Sequence, residues 1–588
     1  MMDPRYSVGI DLGTTNSAVA EVDLAIEPAG PGEPLPAPLP VEILQMVARQ
    51  EMAARELLPS FIYLPPSHED LGPFVVGAHA RDRGAQVPGR LVSSSKSWLS
   101  HPGVDRRSQL LPPAADPETP RISPLEAAAR ILGQIREGWE AAHAQEGASL
   151  ADQAVTLTVP ASFDAAARDL TVQAAAQAGL AKLTLLEEPQ AALYAWVEAA
   201  GDEWRRHVRP GDVILVVDVG GGTSDFSLIA VGDEEGRLAL TRLAVGDHIL
   251  LGGDNIDLAL AHVVSEKLKA QGTRLDSWQL AALTHACRNA KETGTTSVAI
   301  PGRGSGLVGG TIRAEITKAE LRQTADAFFP DVEVDATPLT QRRVGLATLG
   351  LPYAQDPAVT RHLAAFLRRS SGALAKRPGA TFLHPTALLF NGGVFKDASL
   401  QKTLASLVDR WVRAEGGAEI KVLRSASLDL AVALGASYSG LARRGRGIRI
   451  RGGTARAYYV GVEAAAPAVP GFAAPVRAVC LAPFGMEEGS TVDLPQLQVG
   501  AVVGETASFR FFASSARRDD VPGAILEEVE ELDELPAIET TLPAAEGNAG
   551  DVLPVHLRSH VTEVGTLELQ LVSQAGQAWK LEFSVRQE

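Results

Sequence analysis

Two copies of one short pattern, far apart in the chain, constrain its fold more than composition does. Segments 8–20 (VGIDLGTTNSAVA) and 216–229 (VVDVGGGTSDFSLI) share an apolar strand, an Asp-x-Gly turn, small hydroxyl residues and a second apolar strand. Each reads as a β-hairpin with a tip of Gly and Thr. Glycine lets the backbone reach positive φ and lets a ligand approach the N–H groups, while Thr hydroxyls add donors, so such a tip cradles phosphate oxygens. The candidate phosphate-binding residues are Gly13, Thr14, Thr15 and Asn16 in the first copy, and Gly220, Gly221, Gly222 and Thr223 in the second. Asp11 and Asp218 end the first strand of each copy, where a carboxylate would hold Mg²⁺ through its waters, because Mg²⁺ dehydrates reluctantly. One such hairpin is a weak signal, since Gly-Thr turns occur in any sheet. Two copies imply duplicated lobes closing on one nucleotide from opposite sides.

The text around these copies alternates strand and helix. From Ala154 a Val/Thr/Leu run ends at Pro160, an Ala-rich helix closes at Gly179, and a short strand from Leu183 to Leu186 precedes another helix. This is α/β grammar with a largely buried sheet. After about Gly440 helical periodicity fades. Leu567, Leu569 and Leu571 alternate with polar positions, as do Trp579, Leu581, Phe583 and Val585, with a turn from Gln574 to Gln577 between them. With further strands at 460–462, 509–512 and 555–557, residues 454–588 read as a small β-sandwich. Residues 443–453 hold five arginines and four glycines and read as a connector. It is either a plain solvated linker or an electrostatic handle on the acidic stretch Glu527 to Glu534 or on an acidic partner. The Pro/Gly-rich stretch from Glu27 to Pro40 reads as a surface-loop insertion.

Composition narrows the function classes. The 54 basic and 71 acidic residues give a net charge of −17, which argues against neutralising phosphate backbones and so against nucleic-acid or anionic-membrane binding. Cys287 and Cys480 cannot build a disulfide framework or a cysteine-based zinc site, and no histidine pair has metal-ligand spacing. With no leader at Met1 and no apolar run long enough to span a bilayer, the expected compartment is the cytoplasm.

The two tips resemble the phosphate loops of the 70-kDa heat-shock (DnaK-type) chaperones, within the actin and sugar-kinase superfamily. The resemblance continues through LTVPASFD (157–164) with Arg168, EPQAAL (188–193), Gly246-Asp247, Gly252 to Asp254 and the final strands, so it covers most of the chain. It implies a bilobal actin-like (ribonuclease-H-like) ATPase domain at 1–442, a linker at 443–453 and a peptide-binding-like β-sandwich at 454–588. It also implies ATP/ADP and Mg²⁺ as cofactors and a slow ATPase. Phosphoryl transfer to water needs positioning, neutralised charge and an oriented nucleophile. Within the resemblance, Lys96 in SSSKSW (93–98) falls at the catalytic lysine, and Glu188 at the end of a strand helps set the water and metal. Asp225 is the second-loop aspartate and Thr223 a γ-phosphate contact. As bare residues, Glu188 and Asp225 could equally be strand-end carboxylates capping turns. Pro160 and Arg168 match an interdomain relay, although Pro160 could also be strand punctuation. Lys291, Gly392 and Gly393, in a strand-Gly-Gly-helix segment, and Asp429 on the next helix resemble the adenosine-binding elements.

The chain departs from the family pattern at four places. Arg288 stands for a glutamate and Glu292 for an arginine, altering the adenosine clamp. The arginine-glycine run replaces the hydrophobic interdomain connector. Thr184 replaces an arginine used by J-domain partners, and the chain stops at Glu588 after the β domain, without a helical lid. The leading expectation is an ATP-dependent chaperone that couples nucleotide state to an unfolded or extended peptide, with a J-domain co-chaperone and a nucleotide exchange factor as candidate partners. The alternative is an ATP-clamped module recognising one folded protein partner. A small-molecule kinase is disfavoured, since no separate substrate-base motif is found.

Overall fold

The computed structural model describes residues 3–582 except 28–34, 102, 114, 116–117, 235–236, 303–309, 341–349, 373–379, 426, 447–449, 452–453, 455, 465–473, 487–489, 515–516, 518, 544–549, 563–566 and 575. Most of the Glu27 to Pro40 insertion before residue 35 thus lies outside the described residues. Two compact units divide the chain: one takes residues 1–162, 170–238 and 245–449, the other 163–169, 239–244 and 450–588.

The first unit is α/β with mixed sheets. In one sheet the strand Tyr6–Asp11 runs parallel to Ala154–Val159 and antiparallel to Asn16–Asp23, and Thr184–Glu187 lies parallel beyond Ala154–Val159. In another, Val213–Val219 runs parallel to Ala387–Asn391 and antiparallel to Ser224–Glu234, with Lys421–Leu423 parallel beyond. The repeated sequence pattern therefore occupies the same topological place twice. Val8, Ile10, Val216 and Val217 are buried, as continuous apolar strands are when both sheet faces are covered. Pairing of Asp11 with Ala18 and of Asp218 with Asp225 puts each hairpin tip directly after its aspartate.

Close backbone approach fixes the first hairpin. A Cβ on Gly9 would fall 2.2 Å from Ala433 O, and one on Gly435 would fall 1.7 Å from Ala191 O. Only glycine lets helix Ala431–Arg443 seat against both strand Tyr6–Asp11 and helix Glu188–Ala200. Ser7 Oγ donates to Ser437 O at 2.7 Å across the same contact.

Several boundaries differ from expectation. The second strand is Thr184–Glu187, not Leu183 to Leu186, and Glu188 begins a helix instead of ending that strand. Pro189 explains the shift, because the first helical turn has no use for its missing N–H. Asp429 lies in the turn ahead of helix Ala431–Arg443, not on it; Ser427 Oγ accepts from Leu430 N at 3.1 Å and turns the chain there. Gly392 and Gly393 lead into a single 3₁₀ turn, Gly393–Lys396, and the next helix, Ala398–Ala414, starts only after Asp397 caps it.

The arginine-glycine run also departs from a plain connector. It begins inside helix Ala431–Arg443, which stops where Gly445 takes φ +75°, the left-handed conformation that ends helices. Arg443 donates to Thr184 Oγ1 at 2.6 Å, Arg444 to Gly440 O at 3.2 Å, and Arg446 to Leu24 O and Ile26 O at 3.2 and 2.6 Å. In the acidic stretch, Glu527, Glu531 and Glu534 pair with Arg477, Arg517 and Arg510 of the second unit. At these residues each set finds partners within its own unit. Residues 447–449 and 452–453 of the run lie outside the described residues.

The second unit stacks two antiparallel sheets on one core. The first has the order Ile525–Leu526, Val476–Ala482, Ala457–Glu463, Thr506–Ser514, Asp533–Thr541, and the second the order Thr491–Val502, Val552–Val561, Leu567–Ser573, Ala578–Glu582. Val460, Leu481 and Phe511 meet Leu557, Leu569, Trp579 and Leu581 between them. Phe583, Val585 and residue 575 of the expected last hairpin lie outside the described residues. In the same unit Ile450 and Arg451 pair in parallel with Leu240 and Thr241. Cys287 and Cys480 are free and buried, and burial pushes each thiol up to about 12. Among the described residues no helix is long and apolar enough to cross a membrane.

Candidate functional site

The two hairpin tips meet in the first unit. A Cβ on Gly13 would fall 1.9 Å from Asn16 O, so the first tip closes only around glycine. A Cβ on Gly221 would fall 2.0 Å from Thr15 Oγ1, and one on Gly222 would fall 2.6 Å from Thr14 Cγ2. The bare backbone of the second tip thus lies against the threonine side chains of the first. Behind the second tip, Gly253 N and Asp254 N donate to Gly220 O and Gly221 O at 3.0 and 2.7 Å, tying helix Gly253–Ala270 to the loop. Gly392 has φ +89°, and a Cβ there would strike Val219 O at 2.3 Å.

A cavity of about 690 Å³ opens at this meeting point. Asp11, Gly13 to Asn16, Lys96, Glu188, Asp218, Gly220 to Thr223, Lys291, Gly392, Gly393 and Asp429 all line it. Three of the expected residues do not. Asp225 is the second residue of strand Ser224–Glu234, Pro160 follows strand Ala154–Val159, and Arg168 belongs to the second unit, where it is buried and donates from Nε to Phe163 O at 3.3 Å.

Buried charge dominates the phosphate end. Lys96, on the short helix Ser95–Leu99, makes an ion pair with Glu188. Burial works against the Lys96 ammonium, but Glu188, Asp11 and Asp225 outweigh it and hold it above its ordinary value. Burial raises Asp11 to about 7, opposed by Lys96 and reinforced by Glu188. Asp218 also rises to about 7, through burial and the charge of Glu188, although Asn391 Nδ2 donates to it at 2.7 Å. Asp225 behaves oppositely. Burial would raise it, yet nearby His248 and hydrogen bonds from His248, Ser162 and Thr223 hold it below the usual carboxylate value.

One ammonium among four acidic groups leaves an excess of buried negative charge, which suits a divalent cation. Thr15 Oγ1 is buried with no hydrogen-bond partner among the described residues, which suits a phosphate oxygen.

At the far end, Arg288 donates to Asp257 at 2.9 Å and Asp254 at 2.7 Å, and Lys291 pairs with Asp257 at 2.6 Å and donates to Gly253 O at 3.2 Å. The two cations of this helix face thus neutralise the two acids on the first turns of helix Gly253–Ala270. Lys396 pairs with Asp429 at 2.5 Å. Sequence reasoning assigns no role to Ser162, His248 or Asp257. Ser162 and His248 lie in or beside segments that it singled out, but their partners are distant in sequence.

Comparison with known proteins bears on this geometry. Residues 113–337 match the family model described as Hsp70 protein. The chaperone protein HscA of Salmonella newport (strain SL254), of Salmonella heidelberg (strain SL476) and of Salmonella dublin is in each case 34% identical over 271 residues, 45% of this chain. The chain spans 38% of the length of these curated relatives.

Proposed function

We propose that the chain is a member of the Hsp70 family, that it hydrolyses ATP to ADP and phosphate in this cavity and that it couples nucleotide state to an extended peptide held by the β-sandwich unit. One observation carries the reading: two Gly/Thr tips meet at a cavity that also holds the Lys96–Glu188 pair and two half-buried aspartates, Asp11 and Asp218. The similarity to chaperone protein HscA supports the peptide-handling part.

The backbone at Gly13 with Thr14, Thr15 and Asn16 grips phosphate oxygens from one side, and Gly220 to Thr223 from the other. Asp11 and Asp218 would hold Mg²⁺, which when bound would neutralise phosphate charge. Lys96 stabilises charge on the transferring phosphoryl group, and Glu188 fixes Lys96 and orients the attacking water. Asp225 acts through Thr223. Lys291, Gly392, Gly393 and Asp429 hold the nucleoside. Pro160 and Arg168 relay nucleotide state to the second unit, whose sheets bind peptide as an added strand or in a groove. A J-domain co-chaperone and an exchange factor are the proposed partners, and the cytoplasm the proposed compartment.

The test is ATP turnover of the wild type and Lys96→Ala, with and without unfolded peptide. Peptide-stimulated turnover lost in the variant supports the reading, and absence of ATP binding in the wild type contradicts it. The second reading, an ATP-clamped module for one folded partner, is favoured by the docking of Arg443 and Arg446 within the first unit. It expects turnover indifferent to every peptide tested and one tight protein partner.

A further inference from the structure

His101 follows the helix that carries Lys96, Ser95–Leu99, and turns back upon it. Its ring stacks on Trp98, with centroids 5.4 Å apart and planes 19° from parallel, and both side chains are buried. Gly103 N donates to His101 Nδ1 at 2.9 Å, and His101 Nε2 lies 2.9 Å from Gly350 O, 249 residues away in the chain. A backbone N–H can only donate, so Nδ1 accepts. The hydrogen of the neutral ring then sits on Nε2, which donates to Gly350 O.

The segment that receives this bond is itself tied to the second tip. Ala354 N donates to Leu250 O at 3.2 Å. On either side of Leu250, Ile249 O accepts from Ser224 N at 2.9 Å and Leu251 O accepts from Ser224 Oγ at 2.7 Å. Ser224 directly follows Thr223, the last residue of that tip. Beyond Ala354, the Asp356 carboxylate accepts from Leu339 N, Ala358 N and Arg361 Nε and anchors the segment at the start of helix Val359–Arg369. A continuous series of printed contacts therefore runs from the Lys96 helix through Trp98, His101, Gly350, Ala354 and Leu250 to Ser224. Lys96 is held on its other side by Glu188, which follows a strand of the sheet that carries the first tip.

We propose that His101 is a positioning residue: through Gly350 and Ala354 it fixes the Lys96 helix relative to the second tip, so that the ammonium meets a phosphoryl group gripped by that tip. The assignment rests on the ATPase reading above. A charge stabilises a transferring group only when it is held in place, and misplacement by about 1 Å costs on the order of 100-fold in rate. His101 is not among the residues that line the cavity. Its loss therefore acts on turnover more than on nucleotide binding, which the two tips provide.

The experiment measures kcat, KM for ATP, ADP affinity and thermal unfolding of the full chain. His101→Ala is expected to lower kcat about 10-fold, with KM and ADP affinity within about twofold of wild type. His101→Gln places an amide N–H near the Nε2 position, where it donates to Gly350 O, and is expected to restore most of kcat. His101→Asn can accept from Gly103 N but falls short of Gly350, so its kcat should stay near that of the Ala variant while its unfolding temperature matches that of Gln. Ala354→Pro cuts the link at its other end, because proline has no N–H to give Leu250 O. It should lower kcat alike and add little to His101→Ala, since either change opens the same link. Overturning results are an unchanged kcat in His101→Ala, an Asn variant as active as the Gln variant, or additive losses in the His101→Ala, Ala354→Pro double variant. A wild type that binds no ATP would remove the ATPase reading and this assignment with it. A wild type that turns over beside equally active His101 variants would remove this assignment alone.

Discussion

Lys96 and Glu188 form a buried ion pair between the helix Ser95–Leu99 and the first turn of helix Glu188–Ala200, with side chains 8% and 13% exposed. Removing one partner leaves the other charge uncompensated beside Asp11 and Asp218. Lys96→Met is expected to lower ATP turnover about 100-fold while nucleotide still binds, and to cost about 3 kcal/mol of stability. Lys96→Met combined with Glu188→Gln should cost less than the two single changes together, because no unpaired charge remains. Chemical denaturation of all four proteins measures the coupling, and additivity would contradict the pairing.

The contact between the two tips is tested by a clash and its relief. Gly222→Ala puts a methyl 2.6 Å from Thr14 Cγ2. Nucleotide affinity should fall about 10-fold, of the order of 1 kcal/mol, with little change in unfolding temperature. Thr14→Ser deletes the struck methyl, so the double variant should regain most of the affinity. Equilibrium binding of a fluorescent ADP analogue reads both.

Both hairpin tips were legible in the sequence because a turn of Asp, Gly and Thr is specified by neighbouring residues. The β-sandwich strands were legible for the same reason, since alternation at Leu567, Leu569 and Leu571 is local. Glu188 reads in the sequence as the end of a strand because the apolar run leads straight into it, yet it begins a helix whose first turn accommodates Pro189. Arg288 was recognised as a departure, but its two partners, 31 and 34 residues away, appear only when the helices pack. The Ser162–Asp225–His248 cluster was hidden likewise: Ser162 reaches 63 residues to Asp225. The behaviour of the connector was hidden too, because Arg446 finds carbonyl partners 422 and 420 residues earlier.

On the proposed function, Asp11 and Asp218 should make ligand binding pH-dependent. Burial lifts both from 3.8 to about 7. Between about pH 4 and pH 7 the folded chain therefore holds protons that the unfolded chain has lost, and the contribution of these residues to stability falls as pH rises through that window. A bound cation requires both groups ionised. Binding of Mg²⁺ with ADP should accordingly release protons below pH 7 and strengthen as pH rises through 7. Titration calorimetry in buffers of different ionisation enthalpy should find proton release at pH 6 and almost none at pH 8.5. Asp218→Asn should reduce the release at pH 6, and an affinity flat across this range would contradict the prediction.

Asp356 offers the opposite sign. It is 1% exposed and accepts from Leu339 N at 2.7 Å, Ala358 N at 2.9 Å and Arg361 Nε at 2.6 Å. Burial alone would raise it, but these bonds bring it from 3.8 down to about 2. Its stabilisation, of the order of 2 kcal/mol, is complete above its unfolded pKa and is lost as pH falls through 2. Asp356→Asn should remove that amount at pH 7 and much less at pH 2, as measured by denaturant unfolding.

ATP turnover by the full chain, with and without an unfolded peptide and beside Lys96→Ala, tests the central claim most directly. The expected result is slow turnover that peptide stimulates and that falls at least about 100-fold in the variant, while both proteins still bind nucleotide. Turnover equal in the two proteins, or no nucleotide bound by the wild type, would contradict it.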